Sequence, residues 1–432
     1  MVKLTDYEKH LLDGKEGRLK QVALENIVRY AEVLGANELC EVTKATVFCG
    51  KHNYLDVCKS NNFHEVFTKL NLGKDEIIEF NSTSENCYIQ SCVAPCDQYE
   101  YKSFNQSKEF FDENSYYLEE ANKAGVTITG TCSPYLTGWI PIKGEHFVTT
   151  ESGMTIIGNS LWGACCNADG IEAAFWSAIC GRTPKWGYHL EENRIGTHLF
   201  KIEADIDSIT DWELLGNAIG KKLPPNSNPV IVGNFKNMNF NKIRYFLTAL
   251  SISSNCRLCH IVGYTPEART VEDAFKGRKP KAEYQITIDD LRKSYNSFCD
   301  KGAGENISLV SLGCPHYDID QIKKVANYLK GKKIHSGVNF MIWTVYPIKH
   351  MADINGYTRI IEDAGGKIYT STCPVTVGEE FLKNYPIQVY DSLKQSGSAR
   401  ETTENKIYYT DTYKCIDAAL TGRWEERFKW KK

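Results

Sequence analysis

Three short runs of this sequence end in the same way: a β-type segment, then cysteine, then proline at once or after one residue. They are Thr127-Ile128-Thr129-Gly130-Thr131-Cys132-Ser133-Pro134, Ile307-Ser308-Leu309-Val310-Ser311-Leu312-Gly313-Cys314-Pro315-His316 and Lys367-Ile368-Tyr369-Thr370-Ser371-Thr372-Cys373-Pro374. Each cysteine falls just past the carboxyl end of an apolar strand, and the proline turns the chain out of the sheet. Carboxyl ends of parallel strands are where α/β proteins assemble sites, so three distant thiols can converge on one crevice. Three is also a chemically informative number. Structural zinc and electron-transfer iron–sulfur sites close their shells with four protein ligands, whereas three thiolates on a cluster leave one iron open to substrate. An open iron is a Lewis acid for a hydroxyl leaving group, and dehydration further needs a base and donors for the developing charge.

The elements that must position these residues alternate along the chain. Periodicity predicts helices over 19–35, 108–125, 241–251, 319–329 and 351–364, and strands over 126–131, 229–233, 258–263, 307–312, 338–346 and 367–370. The pattern is α/β with mostly parallel sheets flanked by helices. The expected division is an N-terminal α/β region over 1–205 carrying Cys132, a middle domain over 206–330 and a C-terminal domain over 331–432. The polar, Tyr-rich stretch 81–107 reads as an insert and the basic run 276–283 as a solvated turn.

Composition narrows the function. Lys plus Arg total 51 against 54 Asp plus Glu among 432 residues, a net charge of -3 that favours neither nucleic acid nor an anionic membrane. The first ten residues lack the apolar core of a signal peptide and no later run is long enough to span a bilayer, which predicts a cytoplasmic protein. Sixteen cysteines in a reducing compartment point away from disulfides and toward metal-bound or buried thiols.

Beyond the cysteines, Thr131-Cys132-Ser133-Pro134-Tyr135-Leu136-Thr137-Gly138, with Pro141 and Gly144-Glu145-His146, resembles the signature of aconitase X, a branch of the aconitase superfamily. The resemblance continues through Glu151-Ser152-Gly153, Gly158-Asn159-Ser160-Leu161-Trp162-Gly163-Ala164, Gly181-Arg182-Thr183-Pro184, Gly187-Tyr188-His189-Leu190, Val262-Gly263-Tyr264-Thr265-Pro266-Glu267-Ala268, Leu312-Gly313-Cys314-Pro315-His316, Thr372-Cys373 and the run from Cys415 to Trp424. It implies an aconitase-like large part, a hydro-lyase, whose Cys132, Cys314 and Cys373 hold an iron–sulfur cluster of four irons or, alternatively, two. Described members dehydrate cis-3-hydroxy-L-proline or mevalonate 5-phosphate, and the former is the expected substrate class. A small swivelling domain, fused or on a separate subunit, supplies a catalytic serine in the family, so a small-subunit partner carrying the base is expected. Substrate contacts fall to Glu151, Ser152, Asn159, Ser160, Ser398 and Arg400, the last as a bidentate carboxylate clamp.

The chain departs from the family at Cys165-Cys166-Asn167-Ala168, where an Arg-Thr-Asn-Arg run is usual, and at Thr68-Lys69-Leu70-Asn71-Leu72. Losing two arginines counts against a phosphorylated substrate and leaves a non-catalytic scaffold or electron-transfer protein as the competing reading. Cys256-Arg257-Leu258-Cys259-His260 spells a haem-attachment motif but runs into an apolar strand pattern, so it reads as core. Cys87, Cys92 and Cys96 lack a fourth ligand and read as local variation, and Cys165-Cys166 as small filler. His146 and His189 are candidates for acid or anion-holding groups.

Overall fold

The computed structural model describes residues 2–47 and 87–425. The expected correspondence at Thr68-Lys69-Leu70-Asn71-Leu72 lies outside the described residues.

Runs of apolar residues buried on both faces form parallel strands, and these fall into three parallel sheets. The first has the order β3-β2-β4, with β2 at Lys44–Val47, β3 at Tyr88–Ser91 and β4 at Phe147–Val148. Beside it, β1 (Leu39–Glu41) pairs antiparallel with β5 (Arg182–Pro184). The second sheet, β8-β7-β6-β9, is built from β6 (His198–Ile202), β7 (Pro229–Val232), β8 (His260–Ile261) and β9 (Ala282–Ile286). The third has the order β12-β11-β10-β13-β14, from β10 (Leu309–Leu312), β11 (Asn339–Thr344), β12 (Gly366–Thr370), β13 (Ile387–Tyr390) and β14 (Lys406–Tyr409).

In the third sheet the chain starts at β10, winds outward through β11 and β12, then crosses back to β13 and β14. Winding reverses between β10 and β13, and a crevice opens outside the carboxyl ends of two strands whose connections leave in opposite directions.

Sheet membership moves both expected boundaries. β6 pairs with β7 and β9, so the second sheet begins at 198 rather than after 205, and β10 is the middle strand of the third sheet, so a cut at 330 would split it. Nor is 81–107 an insert over its described part, since β3 pairs with β2 residue for residue from Tyr88 to Ser91. Its polar composition hides a strand because Gln90 and Ser91 are buried and hydrogen-bonded. Of the basic run, Ala282 and Glu283 begin β9.

Helices form where caps and apolar spacing agree. Asp318 accepts from Gln321 N and opens the helix Ile319–Leu329, whose Ile322, Val325, Ala326 and Leu329 face the core. The expected helix over 351–364 is instead two, Tyr346–Ile354 and Tyr357–Ala364. Gly356 between them is left-handed (φ 73°), a conformation that ends one helix and lets the next start at a new angle. The expected strand over 126–131 is extended chain making one bridge, Thr127 to Gln90.

Candidate active site: three cysteine loops at a topological switch point

Cys314 follows β10 and Cys373 follows β12, both at carboxyl ends of the third sheet, while Cys132 arrives on the extended segment from the first domain. Cys314 and Cys373 are buried and Cys132 is half-buried; all are free thiols.

One imidazole ties the three loops together. His316, two residues after Cys314, is bonded through Nδ1 to Thr131 Oγ1 at 2.9 Å and through Nε2 to the Thr372 carbonyl at 3.0 Å. Thr131 and Thr372 are the residues immediately before Cys132 and Cys373. A carbonyl only accepts, so Nε2 carries the proton and Nδ1 accepts from the threonine hydroxyl. Burial pushes His316 down to about 4, which keeps this neutral tautomer in place. The same threonine oxygen accepts from Ser133 N at 2.9 Å, shaping the turn that carries Cys132.

The loops also touch directly at Gly130. A Cβ on Gly130 (φ +60°) would lie 2.5 Å from Ser371 Cβ and 2.6 Å from Ser371 Cα, so only glycine admits this approach.

Two charged groups face the thiols. Lys394, near the start of the helix Leu393–Thr402 that follows β13, acts on Cys132, Cys314 and Cys373 alike. Glu151 is the N-cap residue of the helix Ser152–Leu161; its Oε2 lies 3.8 Å from Lys394 Nζ, and its Oε1 accepts from Cys92 Sγ at 2.5 Å. Cys92 is packed against Cys132 and Cys373, so a fourth thiol borders the site with its proton engaged by a carboxylate. Burial pushes the Cys132 thiol up to about 11, and Glu151 adds to that rise while Lys394 opposes it. Burial likewise raises Cys314 and Cys373, with Lys394 again opposing.

The donor set suits an iron–sulfur centre. Three soft donors, two buried and one half-buried, and a carboxylate face one lysine, so as thiolates they would carry negative charge that Lys394 alone cannot offset. A cationic iron–sulfur core offsets it. Sheet and loop positions thus bring Cys132, Cys314, Cys373 and Glu151 together, with Ser152 directly after Glu151.

The other expected contact residues have these partners. Asn159 binds the Cys166 and Arg257 carbonyls at 2.8 and 2.9 Å, and Ser160 Oγ accepts from Cys259 N at 2.9 Å. Arg400 pairs with Asp300 at 3.0 Å and with the Ile407 carbonyl at 3.2 Å. Ser398 lies on the same helix, where its carbonyl accepts from Thr402 Oγ1 at 2.9 Å. Residues that the sequence reading did not select are Lys394, His316 as a staple, and Cys92. A cation placed just after a strand-end Asp391-Ser392 was the available signal for Lys394.

A cavity of about 830 Å³ lies apart from this crevice. It lies between the first two domains and is lined by Arg257, Arg278, Lys279 and Lys281 among others. Its size carries less weight than the converging chemistry at the cysteines. The haem-like motif is core, with Cys256 and Cys259 buried and His260 Nε2 bonded to the Arg194 carbonyl at 2.7 Å.

A doubly wound sheet with Cys314 at its switch point and two further cysteine loops joined to it through His316 defines a class, and comparison with known proteins names it. The aconitase X first domain matches residues 1–192, the second domain 196–296 and the third domain 307–421. The holo-form crystal structure of Thermococcus kodakaraensis aconitase X superposes with a TM-score of 0.82 at 26% identity, covering 97% of this chain and 100% of that one. The chain belongs to the aconitase X family and is a dehydratase, a hydro-lyase. It is 28% identical to the phosphomevalonate dehydratase large subunit of Methanocaldococcus jannaschii over 97% of this chain and 100% of that protein. With the cis-3-hydroxy-L-proline dehydratase of Hypocrea jecorina it shares 24% identity over 99% of this chain and 70% of that protein. No helix among the described residues is long and apolar enough to cross a membrane.

Proposed function

We propose that this chain is the metal-bearing large subunit of an iron–sulfur hydro-lyase that dehydrates a small hydroxy acid, with cis-3-hydroxy-L-proline the favoured substrate. The observation that carries the reading is the convergence of the Cys132, Cys314 and Cys373 loops on His316, with Lys394 facing all three thiols. Cys132, Cys314 and Cys373 hold the cluster, four irons favoured over two. When bound, a cluster on three thiolates supplies a Lewis acid for the leaving hydroxyl.

The chain's own residues do the rest. Lys394 pairs with the substrate carboxylate, and Glu151 keeps the lysine aimed at the thiols. Burial of the loops excludes water from the reacting face, which strengthens each of these charge contacts. Ser152 borders the same crevice. Asn159, Ser160 and Arg400 hold the surrounding loops. The base arrives on a small swivelling subunit, a reading supported by the relatives named as large subunits. A cytoplasmic setting suits the free thiols.

Mevalonate 5-phosphate is the second reading, favoured by the end-to-end match to a phosphomevalonate dehydratase large subunit. Anaerobic co-expression with the small subunit, followed by incubation with each compound and spectroscopy of the iron, separates the two. Water loss from cis-3-hydroxy-L-proline with a substrate-induced change at one iron is the expected outcome. Turnover of mevalonate 5-phosphate alone replaces the first substrate with the second. Full iron occupancy in Cys132→Ala, Cys314→Ala and Cys373→Ala would defeat the site assignment.

A further inference from the structure

A second group of metal-type side chains lies in the first domain. Cys40 on β1, His146 at the entry to β4 and His189 in the turn Gly187–His189 present ligand atoms that all fall within 4.8 Å of one another. The two imidazoles meet at Nδ1, 2.9 Å apart, and the Cys40 thiol donates weakly to the Thr183 carbonyl at 3.6 Å. His189 is 4% exposed and its Nε2 has no hydrogen-bond partner, which leaves a buried ring with unused coordinating capacity. The backbone beside the group is fixed by Cys165, which forms a parallel bridge with His146 and whose carbonyl accepts from Phe147 N at 3.0 Å, while its thiol is not one of the three converging ligand atoms. This is the segment at which the chain departs from the aconitase X pattern. The turn is held in place by Asn167, whose Oδ1 accepts from Tyr188 N at 2.8 Å and sits so close to Gly187 that a Cβ there would meet it at 2.3 Å.

We propose that Cys40, His146 and His189 bind one zinc-type divalent cation that pins β1, the β4 entry and the 187–189 turn to one another. One sulfur and two imidazoles are three of the four donors of a tetrahedral site for a d10 ion, and the fourth position is left to solvent. Zinc–nitrogen bonds of about 2.0–2.1 Å place two tetrahedral nitrogens about 3.3 Å apart, so the imidazoles need part by only a few tenths of an ångström. Burial lowers both histidines, His189 to about 3, so both rings are neutral and offer lone pairs. Burial raises the Cys40 thiol, so it stays protonated until a cation displaces the proton. Binding releases the Cys40 thiol proton to solvent, and its thiolate offsets one of the ion's two charges. None of β1, the β4 entry and the 187–189 turn carries Cys132, Cys314 or Cys373, so the group is separate from the three cysteine loops.

The test uses the full-length chain carrying Cys132→Ser, which disables the other cysteine group, stripped with chelator and titrated with cobalt(II). One cobalt per chain with the visible bands of tetrahedral thiolate coordination is expected, and zinc should displace it. Adding Cys40→Ser or His189→Gln should abolish the bands, and Cys165→Ser should leave them in place. A parent titration without any thiolate–cobalt band overturns the proposal whether or not the variants fold. So do unaltered bands in both Cys40→Ser and His189→Gln.

Discussion

Replacing His316 by phenylalanine keeps the ring and removes both of its side-chain hydrogen bonds, and the structure sets the size of the effect. The Thr372 carbonyl loses its 3.0 Å donor and the Thr131 hydroxyl its 2.9 Å acceptor, both at residues with 0% exposure. An unsatisfied buried polar group costs about 1–3 kcal/mol, and better burial of an apolar ring returns part of this, leaving about 2–4 kcal/mol. The loss falls on the loops rather than on the sheets, since the Arg244 bond to the His316 backbone carbonyl at 3.0 Å is untouched. Native-state hydrogen exchange reads it directly: amides of Ser133 and Cys373 should exchange roughly 30- to 1,000-fold faster, while those of β10 and β11 keep their protection. Iron content after anaerobic reconstitution should fall in step. His316→Gln, whose amide offers one donor and one acceptor, should recover part of both. If His316→Phe exchanges like the parent at those amides and loads iron to the same level, the imidazole does not organise the cysteine loops.

Other perturbations give independent checks. Lys394 and Glu151 interact across 3.8 Å, worth about 4 kcal/mol at an effective dielectric constant near 20 and about 1–2 kcal/mol once the lysine's partial exposure is allowed for. A double-mutant cycle with Lys394→Met and Glu151→Gln in urea should return that coupling, and additivity within ~0.5 kcal/mol would count against it. Gly216→Ala puts a Cβ 2.4 Å from the Phe246 carbonyl oxygen and 2.9 Å from Leu250 N, backbone atoms that cannot step aside; destabilisation by about 3 kcal/mol in chemical denaturation is expected. Burial raises the Asp391 carboxyl from 3.8 to about 6. The folded state thus binds a proton the unfolded chain has lost, and this contribution to stability is present below the ordinary carboxyl range and lost as pH rises through about 6. Asp391→Asn should flatten that loss, so the melting-temperature difference between variant and parent moves in the variant's favour from pH 4 to 6.5; a constant difference would refute it.

Local patterns carried much of this structure. The segment over 319–329 reads as one helix because Asp318 caps it and its apolar residues share a face. Cys314 and Cys373 are legible because a strand, a thiol and a proline sit in immediate succession. The helix break at Gly356 is hidden because apolar spacing runs through it while one left-handed residue resets the axis. What stayed illegible is non-local. The link from Thr131 to His316 spans 185 residues, and no periodicity announces it. Arg400 was selected from a motif with no helix expected around it, and the helix Leu393–Thr402 instead brings Lys394 toward the thiols, six residues and about 9 Å earlier. Strand β3 was obscured because Gln90 and Ser91 look exposed in sequence but are buried with partners.

The contact of Gly130 with Ser371, together with the His316 staple, has a mechanical corollary. The first and third domains meet there with no slack, and a hinge opening of even one or two ångströms along this line would break the Thr131–His316 bond and part Gly130 from Ser371, while the His316–Thr372 bond stays inside the third domain. Opening there costs a buried hydrogen bond, so the joint resists parting like a riveted seam, and motions that admit substrate meet less resistance at the outer mouth of the crevice.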